Sequence, residues 1–274
     1  MSILKKQICK NVKLLIMVPS RPTAFGERRE IRLTWSRTLP ENVRVYFIIG
    51  KNLNNTINNA VMNEAIYHKD VIMNDLYDSY TNLTLKIYSM LQWKQAYCAK
   101  TLYTLKTDDD TIVHVQRLLY WIRKKFNRIV SKKPKTIFGR VFAGTKVNRD
   151  PKKPWYVDPV VYNKRRFPVY CNGPTYILSK STVRALLSAA ANVRFMTVED
   201  ILFTGILAKK ANVYHIDAQQ HFGLRKEIRP HVLCDRNHVP YITSLYNVTK
   251  QEMKSYYHKL NSISCYPKKR RKRI

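Results

Sequence analysis

The chain reads as one α/β domain in which a mostly parallel central sheet is flanked by helices. Three observations predict this. Strand-like and helix-like segments alternate through the first half, as β-α-β-α-β units do. A run of three aspartates, Asp108-Asp109-Asp110, directly follows the apolar run Leu102–Thr107, and ligands bind at the carboxyl ends of strands in such sheets. With 274 residues, 45% of them hydrophobic, and no repeat or low-complexity linker, the chain is long enough for one full core.

Taken in order, Lys13–Pro19 is the first strand and Arg21–Gly26 a turn-rich loop. Glu27–Trp35 reads as a short helix. Asn42–Gly50 alternates through Val43, Val45, Phe47 and Ile49, the period of a strand. Asn54–Tyr67 is a polar helix and Val71–Met73 a short strand. Thr81–Ala99 carries Leu83, Ile87, Met90 and Leu91 on one face, which fits a helix lying on a sheet. The aspartate-bearing strand follows, then the amphipathic helix Val115–Phe126. In the second half, Thr136–Phe142 is a strand, Asn148–Arg166 a basic loop and Tyr176–Leu178 a strand. A helix over Ser181–Ala191 is capped by Ser179 or Ser181. Val198–Lys210 is helical, Val213–Ile216 a strand and Gln251–Leu260 a helix. The expected organisation is an N-terminal segment (1–12), one domain (13–262) and a basic tail (263–274).

The aspartate triplet is the first candidate site. If the strand continues through it, Asp108 and Asp110 share a face and Asp109 points elsewhere. Converging carboxylates repel unless a cation lies between them, and a hard divalent ion prefers oxygen ligands. The bland alternative is a turn or a helix cap, where aspartate is common. The chain's shortage of acids, 18 against 50 Lys and Arg, weighs against filler.

The formal charge of +32 is spread along the chain, since Lys268–Arg273 supplies only six of it. Such an excess implies an anionic partner or substrate: a nucleotide-sugar, an acidic glycan, nucleic acid or a membrane surface. The tail itself reads as a solvated terminus, with nuclear import or nucleic-acid binding as the other class. No apolar run approaches a membrane span; Leu14–Val18 is short and ends at Pro19, so neither an anchor nor a signal is visible. Five dispersed cysteines without a Cys-x-x-Cys pair exclude a typical zinc site and permit two disulfides with one free thiol, or none. Sequons at Asn54, Asn82 and Asn247 favour a secretory compartment.

Six segments, in order, carry a family resemblance: Glu27–Trp35, Asp78–Lys86, Leu105–Asp110, Trp155–Val157, Phe167–Gly173 and Val198–Gly205. Together they resemble the β-1,3-galactosyltransferase family, glycosyltransferase family 31. The resemblance implies a GT-A-type domain. It implies inverting transfer of galactose or N-acetylglucosamine from a UDP-sugar to a hydroxyl of a glycan acceptor, through a β-1,3 bond and with Mn²⁺. The acceptor would sit on a glycoprotein or a glycolipid, in the Golgi; the basic body suits instead an acidic glycosaminoglycan acceptor, and nucleic acid is not expected as a partner. By the same match, Asp108 and Asp110 hold the metal, and Arg28, Arg32, Lys86, Asp108 and Asp109 line the nucleotide-sugar site. Asp200 aligns with the catalytic base; Glu199 beside it should project elsewhere. Near a helix start the dipole favours the charged, basic form of Asp200, although simple capping is the alternative. Arg28 and Arg32, at i and i+4, share a helix face that suits a diphosphate or solvent. His215, His221, His231 and His238 come late in the chain, and the third metal ligand is left unassigned. A catalytically silent relative that binds glycans or nucleotide-sugars is the competing class.

Overall fold

Leu14–Val18 is apolar at every position because it is covered on both sides. In the computed structural model, β1 (Leu14–Ser20) lies inside a seven-stranded sheet and is buried throughout. Leu14, Ile16 and Val18 enter one core, and Leu15 and Met17 the other. In a strand covered on both faces, side chains of both alternating sets are buried, which favours an apolar run. Each of these side chains contributes roughly 1.5–3 kcal/mol by burial. The structure describes residues 8–266 apart from 154, 192 and 195, so the Lys268–Arg273 run lies outside the described residues.

The first half follows the predicted alternation: α1 (Phe25–Leu33), β2 (Val43–Lys51), α2 (Asn55–His68), β3 (Val71–Tyr77), α3 (Leu83–Tyr97) and β4 (Tyr103–Thr107). β5 (Ile112–Val113) leads to α4 (Val115–Trp121), which widens into π turns over Ile122–Phe126 and ends as α5 (Asn127–Lys132). β6 (Thr136–Phe142), β7 (Tyr170–Ser179) and α6 (Lys180–Ala190) come next. A π-helical segment (Ile201–Leu207) runs into α7 (Ala208–Lys210) and β8 (Tyr214–Asp217). Beyond it lie β9 (Phe222–Leu224), β10 (His231–Val232), β11 (Ser244–Tyr246), α8 (Lys250–Ser262) and β12 (Ser264–Cys265). Asn54 caps α2 by accepting the Thr56 N–H, and Ser179 rather than Ser181 caps α6.

The sheet order is β3-β2-β1-β4-β7-β6-β8. Every adjacent pair is parallel except the two that involve β7. The predicted class, α/β with a mostly parallel sheet between helices, is the one adopted. Ile31 of α1 with Met253 and Leu260 of α8 joins one core, and Ile87, Met90 and Leu91 of α3 with Val183 and Leu186 of α6 the other. β7 is longer than the predicted Tyr176–Leu178, because its polar first half is held by pairing with β6 and β4 rather than by apolar content. The short strands β9 to β11 were not predicted; each is only two or three residues long and carries no readable period.

Of the two cysteine readings, the structure adopts the first. Cys9–Cys98 ties the segment before β1 to the end of α3, and Cys234–Cys265 joins the loop after β10 to β12. Cys171 is free and buried. No described helix is long and apolar enough to cross a membrane.

Candidate active site

Topology gathers the site at one edge of the sheet. Ser20, Asn52, Asp78 and Asp108 lie at or just beyond the carboxyl ends of the parallel strands β1, β2, β3 and β4. β7 runs the opposite way, so its beginning reaches the same edge: Thr175 pairs with Thr107, and Pro174 O accepts the Asp108 N–H at 3.0 Å. A cleft of about 380 Å³ opens there, lined among others by Ser20, Tyr80, Lys86 and the three aspartates.

The triplet does not continue the strand. β4 stops at Thr107, and a turn closes with Thr111 N–H donating to Asp108 O at 3.2 Å. All three aspartates therefore line the cleft, including Asp109, which strand alternation had pointed elsewhere. Ser20 Oγ donates to Asp109 at 2.7 Å, and Thr111 Oγ1 to Asp110 at 3.3 Å. Asp110 O accepts the Val248 N–H at 2.9 Å, which pins the turn to the segment after β11. Burial, followed by the charges of Asp108 and Asp109, raises the Asp110 pKa to about 6.

This arrangement fits a hard divalent cation. Asp110 forms no ion pair among the described residues and is held by its neighbours in a state short of positive charge. Among the described residues there is no group of three or more His, Cys, Asp or Glu that could hold a metal ion. Oxygen donors without a closed cage suit an ion that keeps positions for water and substrate phosphates. Three of the four late histidines are engaged elsewhere: His215 Nε2 with Thr204 O, His221 Nδ1 with Tyr241 O and His231 Nδ1 with Ser264 Oγ.

Lys106 is the link that sequence reading missed. It lies mid-strand with 1% of its side chain exposed. Its Nζ donates to Asp108 Oδ1 at 2.6 Å and Gly173 O at 2.7 Å, and lies 3.0 Å from Glu199 Oε1. Burial alone would lower its pKa; Asp108 and Glu199 outweigh that and hold it protonated. Tyr176 OH completes the cluster by donating to Glu199 Oε2 at 3.3 Å. Glu199 is thus buried and held by Lys106 and Tyr176. A lysine inside an otherwise buried strand, two residues before acidic residues, was the available signal.

Asp200 sits on the other side of this link. The chain turns helical at Glu199, and the Ile201 and Gly173 N–H groups both donate to the Asp200 carboxylate, Ile201 at 2.8 Å. Burial raises its pKa, and Lys106 opposes the rise. Gly173 lies close against Asp200: a Cβ there would come 3.2 Å from Asp200 Oδ2. Gly205 meets a similar constraint further along, where a Cβ would approach Tyr170 Cβ at 3.2 Å. Thr204 Oγ1 lies 2.6 Å from Asp200 O and accepts the Cys171 N–H at 2.9 Å, locking the wide π turns to β7. Tyr80 spans the two halves of the site. It lines the aspartate cleft, and burial with the charges of Asp200, Glu199 and Asp108 raises its phenol pKa.

The three basic candidates separate. Lys86 lines the cleft; its ammonium donates to Ser20 O at 3.0 Å and Asp78 Oδ2 at 2.5 Å. Arg28 and Arg32 are not among the residues that line this cleft, although Arg28 bonds Ser20 and Arg21, which do. They share a helix face as the i, i+4 spacing required, but that face meets Glu64 and Asp70. Arg28 is fully buried, pairs with Glu64 and donates to Ser20 Oγ at 3.1 Å and Arg21 O at 2.7 Å. It therefore supports Ser20, which in turn holds Asp109. Arg32 binds both Asp70 oxygens at 2.8 Å, next to the start of β3 and at the opposite edge of the sheet.

A carboxylate-lined cleft at the switch edge of an α/β sheet, with a second carboxylate joined to it through one buried lysine, belongs here to a glycosyltransferase. The chain is a member of the galactosyltransferase family, whose pattern its residues 26–219 match. β-1,3-Galactosyltransferase 1 of Mus musculus is 28% identical over 264 residues, covering 92% of this chain and 76% of that protein. β-1,3-Galactosyltransferase 2 of Mus musculus is 29% identical over 209 residues, covering 74% of this chain and 49% of that protein. Among solved structures, the galactosyltransferase LgtC in complex with donor and acceptor sugar analogs aligns at a TM-score of 0.42 and 10% identity. That alignment covers 93% of this chain and 98% of that one, a likeness too low to carry argument.

Proposed function

We propose that the chain is an inverting, GT-A-type hexosyltransferase that moves galactose or N-acetylglucosamine from a UDP-sugar to a glycan hydroxyl, forming a β-1,3 bond. The observation that carries this reading is the Lys106–Gly173 link, which fixes the aspartate cleft and Asp200 relative to each other. The donor diphosphate would lie against the triplet, with the ammonium of Lys86 on the cleft wall. Asp108 and Asp110 would hold Mn²⁺, which supplies positive charge to the departing diphosphate. Asp109, oriented by Ser20, would face the donor.

Asp200 accepts the proton of the acceptor hydroxyl. As that proton leaves, the acceptor oxygen forms a bond to the anomeric carbon, and the bond from that carbon to the diphosphate breaks. The electron pair departs with UDP, and the single displacement inverts the centre. A raised pKa brings the Asp200 carboxylate closer to the basicity a general base needs. The two disulfides suit an oxidising compartment, in keeping with the Golgi residence that the family resemblance implies.

The test is product analysis. Purified protein with Mn²⁺ is offered UDP-galactose and UDP-N-acetylglucosamine with glycoprotein-type and glycolipid-type acceptors. A β-linked product at a 3-hydroxyl supports the reading; an α-linked product contradicts inversion. Donor binding without transfer to any acceptor would favour a silent relative.

A further inference from the structure

The segment between β6 and β7 is an ordered arm with more positive charge than its fold uses. Residues 143–169 hold seven Lys and Arg against two Asp. The arm's ends pair as a short ladder, with Lys146 opposite Arg166, Val147 N–H donating to Arg165 O and Phe167 N–H to Thr145 O. Arg149 clips the interior by donating to the carbonyls of Val157, Tyr162 and Lys164. Arg166 donates to Gly144 O. The two carboxylates serve turns: Asp150 accepts the Lys152 N–H and Asp158 the Val160 N–H. These groups fix the arm.

The remaining cations, Lys146, Lys152, Lys153, Lys164 and Arg165, are exposed and form no ion pair among the described residues. The arm also presents Trp155, 51% exposed, among them. Its inner side is anchored where Asp200 is anchored. Val157 and Phe167 enter the same core as Val198 and Ile201, and the arm's exit, Pro168–Tyr170, lies against Gly205. Arg194, shortly before Asp200, donates to Val160 O at 2.8 Å. The free cations are thus displayed on a frame joined to the segment that carries Asp200.

We propose that this arm is a subsite for an acidic glycan, and that the acceptor is a sugar chain bearing carboxylate or sulfate groups. The acceptor role rests on the reading of Asp200 above; the glycan-binding role does not. Repeated anionic groups on an extended chain would meet the unpaired ammonium and guanidinium groups, and the exposed indole offers a flat apolar surface for a sugar ring.

The test uses the full chain, with binding measured by calorimetry for a sulfated uronate-containing hexasaccharide and a neutral hexasaccharide. One variant carries Lys152→Ser, Lys153→Ser, Lys164→Ser and Arg165→Ser. A second replaces the six cations of 268–273 by serine. The proposal expects preference for the sulfated chain and an affinity loss of about tenfold or more in the arm variant, with unchanged melting temperature. It expects the tail variant to bind like the wild type. Equal binding of both hexasaccharides, unaltered affinity in the arm variant, or loss confined to the tail variant would overturn it. So would a single-stranded oligonucleotide of equal charge binding as tightly through the same arm, since that describes a generic polyanion surface. UDP-galactose binding with Mn²⁺ is measured alongside. Its absence in the wild type counts against the transferase reading and leaves the glycan result to stand or fall separately.

Discussion

Lys106 and Lys94 are both buried lysines, and their surroundings are opposite. Lys106 lies between two carboxylates and a carbonyl at the site edge of the sheet. Lys94, on α3, is 0% exposed, and its ammonium meets no hydrogen-bond acceptor among the described residues. Burial, and then the charges of Lys180 and Arg184, lowers its pKa to about 8. The same side chain is a structural link in one region and a destabilising charge in the other. Partners, not burial, decide which.

The largest expected effect comes from breaking the partnered lysine. Lys106→Met leaves Asp108 and Glu199 facing each other without a cation, at a cost of about 3–5 kcal/mol. Denaturant midpoints should show that fall, and transfer should vanish with it. A stability within about 1 kcal/mol of wild type, close to the precision of such measurements, would deny the link its role.

The unpartnered lysine should respond in the other direction. Lys94→Met is expected to raise stability at pH 7 by on the order of 1–3 kcal/mol. The folded pKa of about 8 lies below the unfolded lysine value of about 10.4, so the folded state binds fewer protons between them. Wild-type stability therefore rises with pH across that window, and the advantage of Lys94→Met shrinks over the same range. A constant advantage from pH 7 to 10 would mean the ammonium is not the cause.

Smaller changes sharpen the contrast between the site and its support. Gly173→Ala would crowd Asp200 Oδ2 and should lower kcat by about tenfold, about 1.4 kcal/mol, with donor KM nearly unchanged. Arg32→Gln removes the pairs with Glu64 and Asp70, neither of which lines the cleft. It should cost about 1–2 kcal/mol of stability and leave donor KM alone. A large rise in donor KM would return Arg32 to the nucleotide site.

Much of this architecture was legible in the amino-acid sequence. The alternation of the first half set the sheet class, because period 2 and period 3.6 are dictated by local geometry. The placement of Asp108–Asp110 at a strand end followed from the apolar run that precedes them. What the letters did not carry was tertiary. Arg28 and Arg32 share a face by helix geometry, but only packing reveals that Glu64 and Asp70 occupy that face. The triplet's turn depends on bonds to Pro174 and Val248, distant in sequence. The joining of Asp108 to Glu199 through Lys106 depends on β7 running antiparallel beside β4, which no local signal announces.

The central claim is a division of labour between two carboxylate groups held in one frame. Asp110→Asn and Asp200→Asn, assayed side by side for Mn²⁺-dependent UDP-galactose binding and for UDP release with acceptor, test it most directly. The account predicts that Asp110→Asn loses donor binding, while Asp200→Asn binds donor as the wild type does and loses transfer by about a thousandfold or more. Transfer at near wild-type rate in Asp200→Asn, or undiminished Mn²⁺-dependent donor binding in Asp110→Asn, would contradict it.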